Sequence, residues 1–123
     1  MPTMGINVNE QDAPYADLIV TGRKTIETRA TSSLRPYLGK VMGIIATGTG
    51  KAMLVGEARV CGEIEYTSEQ CFRNDEDAHC VAPGSVHDIG KDCIKFGYVL
   101  RDAVKYGTPV PVNTRGIVAR KIG

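Results

Sequence analysis

Residues 15–29 read Tyr15-Ala-Asp-Leu-Ile-Val-Thr-Gly22 and then Arg23-Lys-Thr-Ile-Glu-Thr-Arg29. Tyr15, Leu18 and Ile19 recur at helical spacing. Gly22 stands where such a helix stops, because glycine takes the left-handed conformation of a C-terminal cap without a Cβ penalty. Upstream, Asp12-Ala-Pro14 predicts the helix start, with Asp12 as the capping side chain and Pro14 early in the first turn. After Gly22 the period changes. Residues 25–30 alternate, which predicts a strand whose successive side chains face opposite ways. Thr25, Glu27 and Arg29 then share one face; Ile26 and Thr28 share the other, with Ile26 toward the core. Lys24 falls at the corner between helix and strand, where its long side chain swings toward the polar face.

A carboxylate, a guanidinium, an ammonium and a hydroxyl are thus gathered on one short segment. Arginine offers paired planar donors to a phosphate or a carbonyl edge. Glutamate accepts from an exocyclic amine or serves as a general base. Lysine binds phosphate, polarises a carbonyl, or acts as a base once burial and nearby cations lower its pKa, an effect that Glu27 opposes. The plainer reading of the same pattern is an ion-pair network on an exposed strand, where such pairs contribute little.

Outward from this block the chain predicts a small α+β barrel of five or six strands with one or two short helices. Residues 4–8 form a first strand and 41–47 a compact apolar one. Residues 48–51 make a turn, and 53–64 a long strand whose Gly56 and Gly62 mark bends or bulges. Thr67 or Ser68 caps a short helix running to about Arg73. Residues 74–92 are polar and irregular. Strand character returns at 95–101, with Phe96, Tyr98 and Leu100 on one face. Residues 108–111 are extended by proline, and 117–122 form a last strand. No repeat or linker divides the chain, so residues 1–123 read as a single domain.

With 42% hydrophobic and 24% charged residues, the composition is that of a globular domain able to bury its own core. A net charge of +1 and a pI near 7.7 exclude a bulk polyanion binder. Nucleic-acid recognition would have to come from a local patch or a pocket for one nucleotide. Lys40, Lys51, Arg115, Arg120 and Lys121 would form a basic rim or be scattered solubilising charge, and the acidic stretch Asp75–Asp77 opposes a rim locally. No apolar run spans a bilayer and no basic-then-apolar leader opens the chain, so a cytoplasmic location is expected. The cysteines, Cys61, Cys71, Cys80 and Cys93, contain no Cys-x-x-Cys pair. His79, Cys80, His87 and Cys93 form a loose cluster, but its spacing is unlike a zinc site, and no metal or cofactor is expected. Gly48-Thr-Gly-Lys51 lacks the first glycine and the Ser/Thr of a phosphate loop, since Ile45 and Ala52 stand there, and reads as a hairpin turn.

The helix ending in Gly22, followed by Lys24, Glu27 and Arg29, resembles the Gly-x-Lys-x-x-Glu-x-Arg signature of the ASCH domain superfamily, small PUA-like β-barrels. Gly39-Lys-Val41, Leu54-Val-Gly56-Glu-Ala58, Gly97-Tyr-Val-Leu-Arg101, Pro109-Val-Pro111 and Gly116 are similar to later blocks, so the resemblance spans about residues 4–122. It implies a pocket beside the signature and a link to RNA or modified nucleosides. One group in the family hydrolyses acetylated cytidine with a lysine, a threonine and a glutamate. Lys24 matches that lysine, Glu27 stands in the threonine's place, and Glu76 is the candidate glutamate, with Asp75 and Asp77 equally placed. Another group is ribonucleolytic and depends on the signature lysine; His79 and His87 would be acid or base partners there. Further members are RNA-binding modules without chemistry. The expected site is therefore Lys24, Glu27 and Glu76 for catalysis, with Gly22, Thr25, Arg29 and Tyr98 binding substrate. Tyr98 stands where the family often has tryptophan. A protein-interaction adaptor is the remaining class.

Overall fold

A computed structural model describes residues 2–90 and 94–122. Strand β1 (Met4–Asn9) leads to helix α1 (Tyr15–Val20), then β2 (Ile26–Arg29), β3 (Val41–Thr47) and β4 (Met53–Tyr66). Two short helices follow, α2 (Glu69–Asn74) and α3 (Glu76–His79), before the long β5 (Lys95–Pro111) and β6 (Ala119–Lys121). All strands join one sheet in the order β2-β5-β4-β3-β1-β6. β1 runs parallel to β3, and the other neighbours are antiparallel.

The strand count agrees with expectation, but the sheet is not closed into a barrel. The edge strands are β2 and β6, and among the described residues no ladder joins β2 to β6 or to β1. The sheet nevertheless curls until β2 approaches β1: Arg29 at the end of β2 donates from Nη2 to the Asn7 carbonyl of β1, 2.6 Å away. The register of β4 with β5 shifts at Leu54/Gly56, Glu57/Arg59 and Val60/Gly62, two of the three places at a glycine. Gly56 also lets α1 lie close, since a Cβ there would sit 2.5 Å from Val20 Cγ1 and 2.2 Å from the Val104 carbonyl oxygen.

Helix α1 packs into the concave side. Tyr15, Ala16, Ile19 and Val20 meet Ile6, Val8, Met42, Ile44, Ala58, Val60, Tyr98 and Leu100 in the main core. A smaller cluster, Tyr66, Phe72 and Val81, holds α2 on the outer side. Two cap expectations resolve here. Ser68, not Thr67, caps α2 by accepting from the Cys71 N–H. Asp12 caps nothing: the cap position is Pro14, and the Asp12 carboxylate accepts instead from the Tyr15 hydroxyl at 3.1 Å. Helix α3 falls inside the stretch expected to be irregular; at four residues it is too short to leave a periodic signal. Among the described residues, no helix is long and apolar enough to cross a membrane.

Candidate functional site

The turn after α1 aims the first functional side chain. Gly22 has φ of +78°, and its N–H donates to Ile19 while the Arg23 N–H donates to Leu18. These paired bonds are the Schellman arrangement, in which a left-handed residue reverses the chain beyond the helix. The Lys24 N–H also donates to the Leu18 carbonyl, at 2.9 Å, so the corner is pinned up to the first residue of the site. Next, the Thr25 N–H bonds the Ala78 carbonyl and the Thr25 carbonyl accepts from Leu100, which starts β2 against β5.

This turn sends Lys24 inward and Thr25 outward. Lys24 is only 2% exposed. Its ammonium donates to the His79 carbonyl, one of the groups left without a partner at the end of α3. It also lies 3.7 Å from Glu27 Oε1 and 4.8 Å from the centre of the Tyr15 ring. Arg29 Nη2 holds the other carboxylate oxygen, Oε2, at 3.0 Å. Glu27 therefore sits between two cations, one on each oxygen. Burial lowers the Lys24 pKa, and Glu27 works against that shift. The Arg29 Nε is buried without a hydrogen-bond partner.

These three side chains open onto a cleft of about 390 Å³, between β1 and β2 of the curled sheet. Asn7, Val8 and Asn9 line it from β1, Glu27, Thr28 and Arg29 from β2. The loop after α3 contributes Val86 and His87, and β5 contributes Lys95. Lys95 is buried, its ammonium donates to the His87 carbonyl, and burial lowers its pKa. His87 meets the Tyr15 ring edge-on, 5.5 Å between centroids. The loop carrying His87 is itself anchored by Asp88, which accepts from Gly84 N–H and from Arg73.

Of the residues expected at the site, Lys24, Glu27 and Arg29 come together in the cleft. Gly22 shapes the turn without lining it, and Thr25 is exposed; both border a second, smaller hollow of about 300 Å³ behind Lys24. Thr28 takes the place expected of Thr25 in the cleft wall. Tyr98 is fully buried in the main core, where its hydroxyl bonds Glu63 Oε2 at 2.7 Å, so it presents no stacking surface to the cleft. Glu76 lies outside the cleft and is paired with Arg73 at 2.5 Å. His79 is also structural. Its Nδ1 accepts from the Val81 N–H, which leaves Nε2–H to donate to the Phe72 carbonyl. Its pKa is lowered, chiefly by burial.

Lys95 is the main member that the sequence reading missed. The visible signal was a lysine opening an otherwise apolar strand, but nothing local says that it meets β2. Among the described residues no group of His, Cys, Asp and Glu is placed to hold an ion, the loose His79, Cys80, His87 and Cys93 cluster included as far as it is described. Cys93 of that cluster lies outside the described residues. In the basic rim, Arg120 is already committed to the Asn7 side chain and the Thr114 carbonyl.

No family model and no curated protein matches the sequence. Solved structures do. The crystal structure of ASCH from Zymomonas mobilis gives a TM-score of 0.68 at 20% identity, over 83% of this chain and 68% of that one. Its tyrosine-to-phenylalanine variant gives 0.72 at 20% identity, over 88% and 74%. Its serine-to-alanine variant gives 0.70 at 22% identity, over 88% and 72%. The chain thus has the ASCH fold.

Proposed function

We propose that this ASCH-fold chain is an RNA- or nucleotide-directed protein whose cleft receives one nucleotide unit, and that Lys24 and Glu27 promote phosphodiester cleavage by transesterification there. One observation carries the reading. A lysine only 2% exposed is held against a carboxylate in a cleft of about 390 Å³ that two further cationic side chains line. That volume lies near the lower end of small-molecule sites, roughly 300–1,000 Å³, and suits a nucleotide better than a length of duplex.

The residues divide the work as follows. The neutral form of Lys24, which burial makes easier to reach by lowering its pKa, takes the proton of a ribose 2′-hydroxyl. The resulting oxygen attacks phosphorus, the P–O5′ bond breaks, and a 2′,3′-cyclic phosphate forms. Arg29 meets the charge that builds on the non-bridging oxygens, and Glu27 orients Lys24 and Arg29. His87, on the cleft wall, returns a proton to the leaving 5′-oxygen. Hydrolysis of acetylated cytidine has weaker support, because Glu76, its candidate proton shuttle, is engaged by Arg73 away from the cleft.

The test is cleavage of a short single-stranded RNA by the full chain and by Lys24→Met, which keeps the stem and removes the amine. Loss of a general base predicts a fall of about 10²–10⁴-fold in rate. Equal cleavage by both proteins refutes the assignment. RNA that is bound but never cleaved by the wild type leaves a binding module.

A further inference from the structure

Among the described residues, the two most exposed large apolar side chains belong to the cleft. Ile117 is 95% exposed and Val86 82%, and both line it. Scattered surface aliphatics are ordinary, but two at the mouth of one cationic cleft are a paired feature. They come from different segments, Val86 from the loop before β5 and Ile117 from the loop before β6. Both segments are pinned. The Asn7 side-chain amide donates to the Gly116 and Ile117 carbonyls at 2.8 and 3.0 Å, which ties that loop to β1. On the other side Lys95 holds the His87 carbonyl, and Asp88 is fixed by Gly84 and Arg73. Aliphatic surfaces held in place before a ligand arrives lose little ordering entropy when it binds.

Deeper in the cleft the charges do not balance. Lys24, Arg29 and Lys95 line it against one carboxylate, Glu27. An anion entering beside Arg29 and Lys95 would relieve the mutual repulsion of three cations in a partly desolvated space. Tyr98, the aromatic expected to bind substrate, is in the core, and the Tyr15 ring, though it lines the cleft, is 5% exposed and lies against Lys24 and His87.

We infer that the cleft takes a nucleoside monophosphate unit in two parts, its phosphate against Arg29 and Lys95 and its base between Val86 and Ile117. This rests on the nucleotide-directed reading above and narrows it. A phosphorylated ligand is required, and the base is gripped by aliphatic side chains.

The experiment titrates the full chain with cytidine 5′-monophosphate, cytidine and inorganic phosphate, followed by calorimetry or by amide shifts. The monophosphate binds at least about tenfold tighter than either part, since two contact regions act together. In Lys95→Met, which also removes the donor to the His87 carbonyl, inorganic phosphate and the monophosphate each weaken about tenfold. In the double variant Val86→Ser, Ile117→Ser, whose sites are exposed and should not disturb folding, the monophosphate weakens about tenfold and inorganic phosphate is unaffected. Cytidine binding as tightly as its monophosphate, or a double variant that binds the monophosphate normally, overturns the two-part site and leaves the broader reading intact. If the wild type binds none of the probes and no RNA, the broader reading falls as well.

Discussion

Replacing Glu27 by Gln is the sharpest test of the site's electrostatics. The change keeps the shape and removes the charge that Lys24 and Arg29 share, at 3.7 and 3.0 Å. Removing one partner of a buried ion pair costs about 3–5 kcal/mol, because the other charge is left stranded. Two features reduce that figure here. Lys24 keeps the His79 carbonyl as an acceptor, and the Arg29 side chain is 18% exposed and so retains some hydration. A loss of about 2–3 kcal/mol at pH 7 follows. The pH dependence separates this cause from a packing defect. Burial already lowers the Lys24 pKa in the folded protein below its ordinary 10.5, so the unfolded chain holds more protons between those values. Stability attributable to Lys24 therefore rises with pH across that window. Losing Glu27 lowers the folded pKa further, since its attraction was raising it. The deficit of the variant is then largest when Lys24 is forced to stay charged, and it shrinks as pH climbs toward 10. Urea unfolding at pH 7 and pH 9.5, read from midpoints at constant slope, measures both values. A deficit that is absent at pH 7, or that grows with pH, refutes the account of Lys24 as a buried cation held by Glu27.

Gly22→Ala should cost about 1–2 kcal/mol although nothing lies within 4 Å of the added methyl, because φ of +78° is strained for any residue with a Cβ; thermal unfolding reads the loss, and an unchanged midpoint would discount the Schellman turn. Tyr98→Phe should lower stability by about 1.5–3 kcal/mol through loss of its bond to the Glu63 carboxylate. Nucleotide affinity should stay within twofold or so, since Tyr98 is not in the cleft. A selective loss of binding in that variant would return Tyr98 to the site.

What could be read from the sequence was what is local. A change of period at a glycine is a property of neighbouring residues, and the helix, the turn and β2 all appear as expected. The assignment of faces failed where the turn intervened. Alternation put Thr25 with Glu27 and Arg29, but the chain reverses through Gly22, so Lys24 enters the cleft and Thr25 faces outward. Alternation also grouped Phe96, Tyr98 and Leu100 on one face, and Tyr98 and Leu100 do share the core side. Whether that face meets solvent, core or ligand depends on the curl of the sheet, which no strand encodes alone. Lys95 and His87 lie some sixty to seventy residues from the signature, and only the β2–β5 pairing and the anchored loop bring them to it. Glu76 shows the converse. It had the right chemistry at a loosely matched position, and Arg73, three residues away on the same stretch, takes it first.

The failure of the sheet to close explains where the site is. Had β2 and β1 joined by a ladder, strands about 4.8 Å apart would leave no room for a ligand between them. Instead β2 has only four residues, and the contact across the gap is made by one guanidinium, Arg29 Nη2 to the Asn7 carbonyl. The same nitrogen holds Glu27, which in turn holds Lys24. A side chain thus does the work of the missing ladder and lines the cleft that the missing ladder leaves. Function and closure compete for the same edge, so residues on that seam should tolerate substitution poorly for two separable reasons. A change at Arg29 loosens the seam and weakens anion binding together, whereas a change at Lys95, which lies off the seam contact, affects the anion with less effect on the curl.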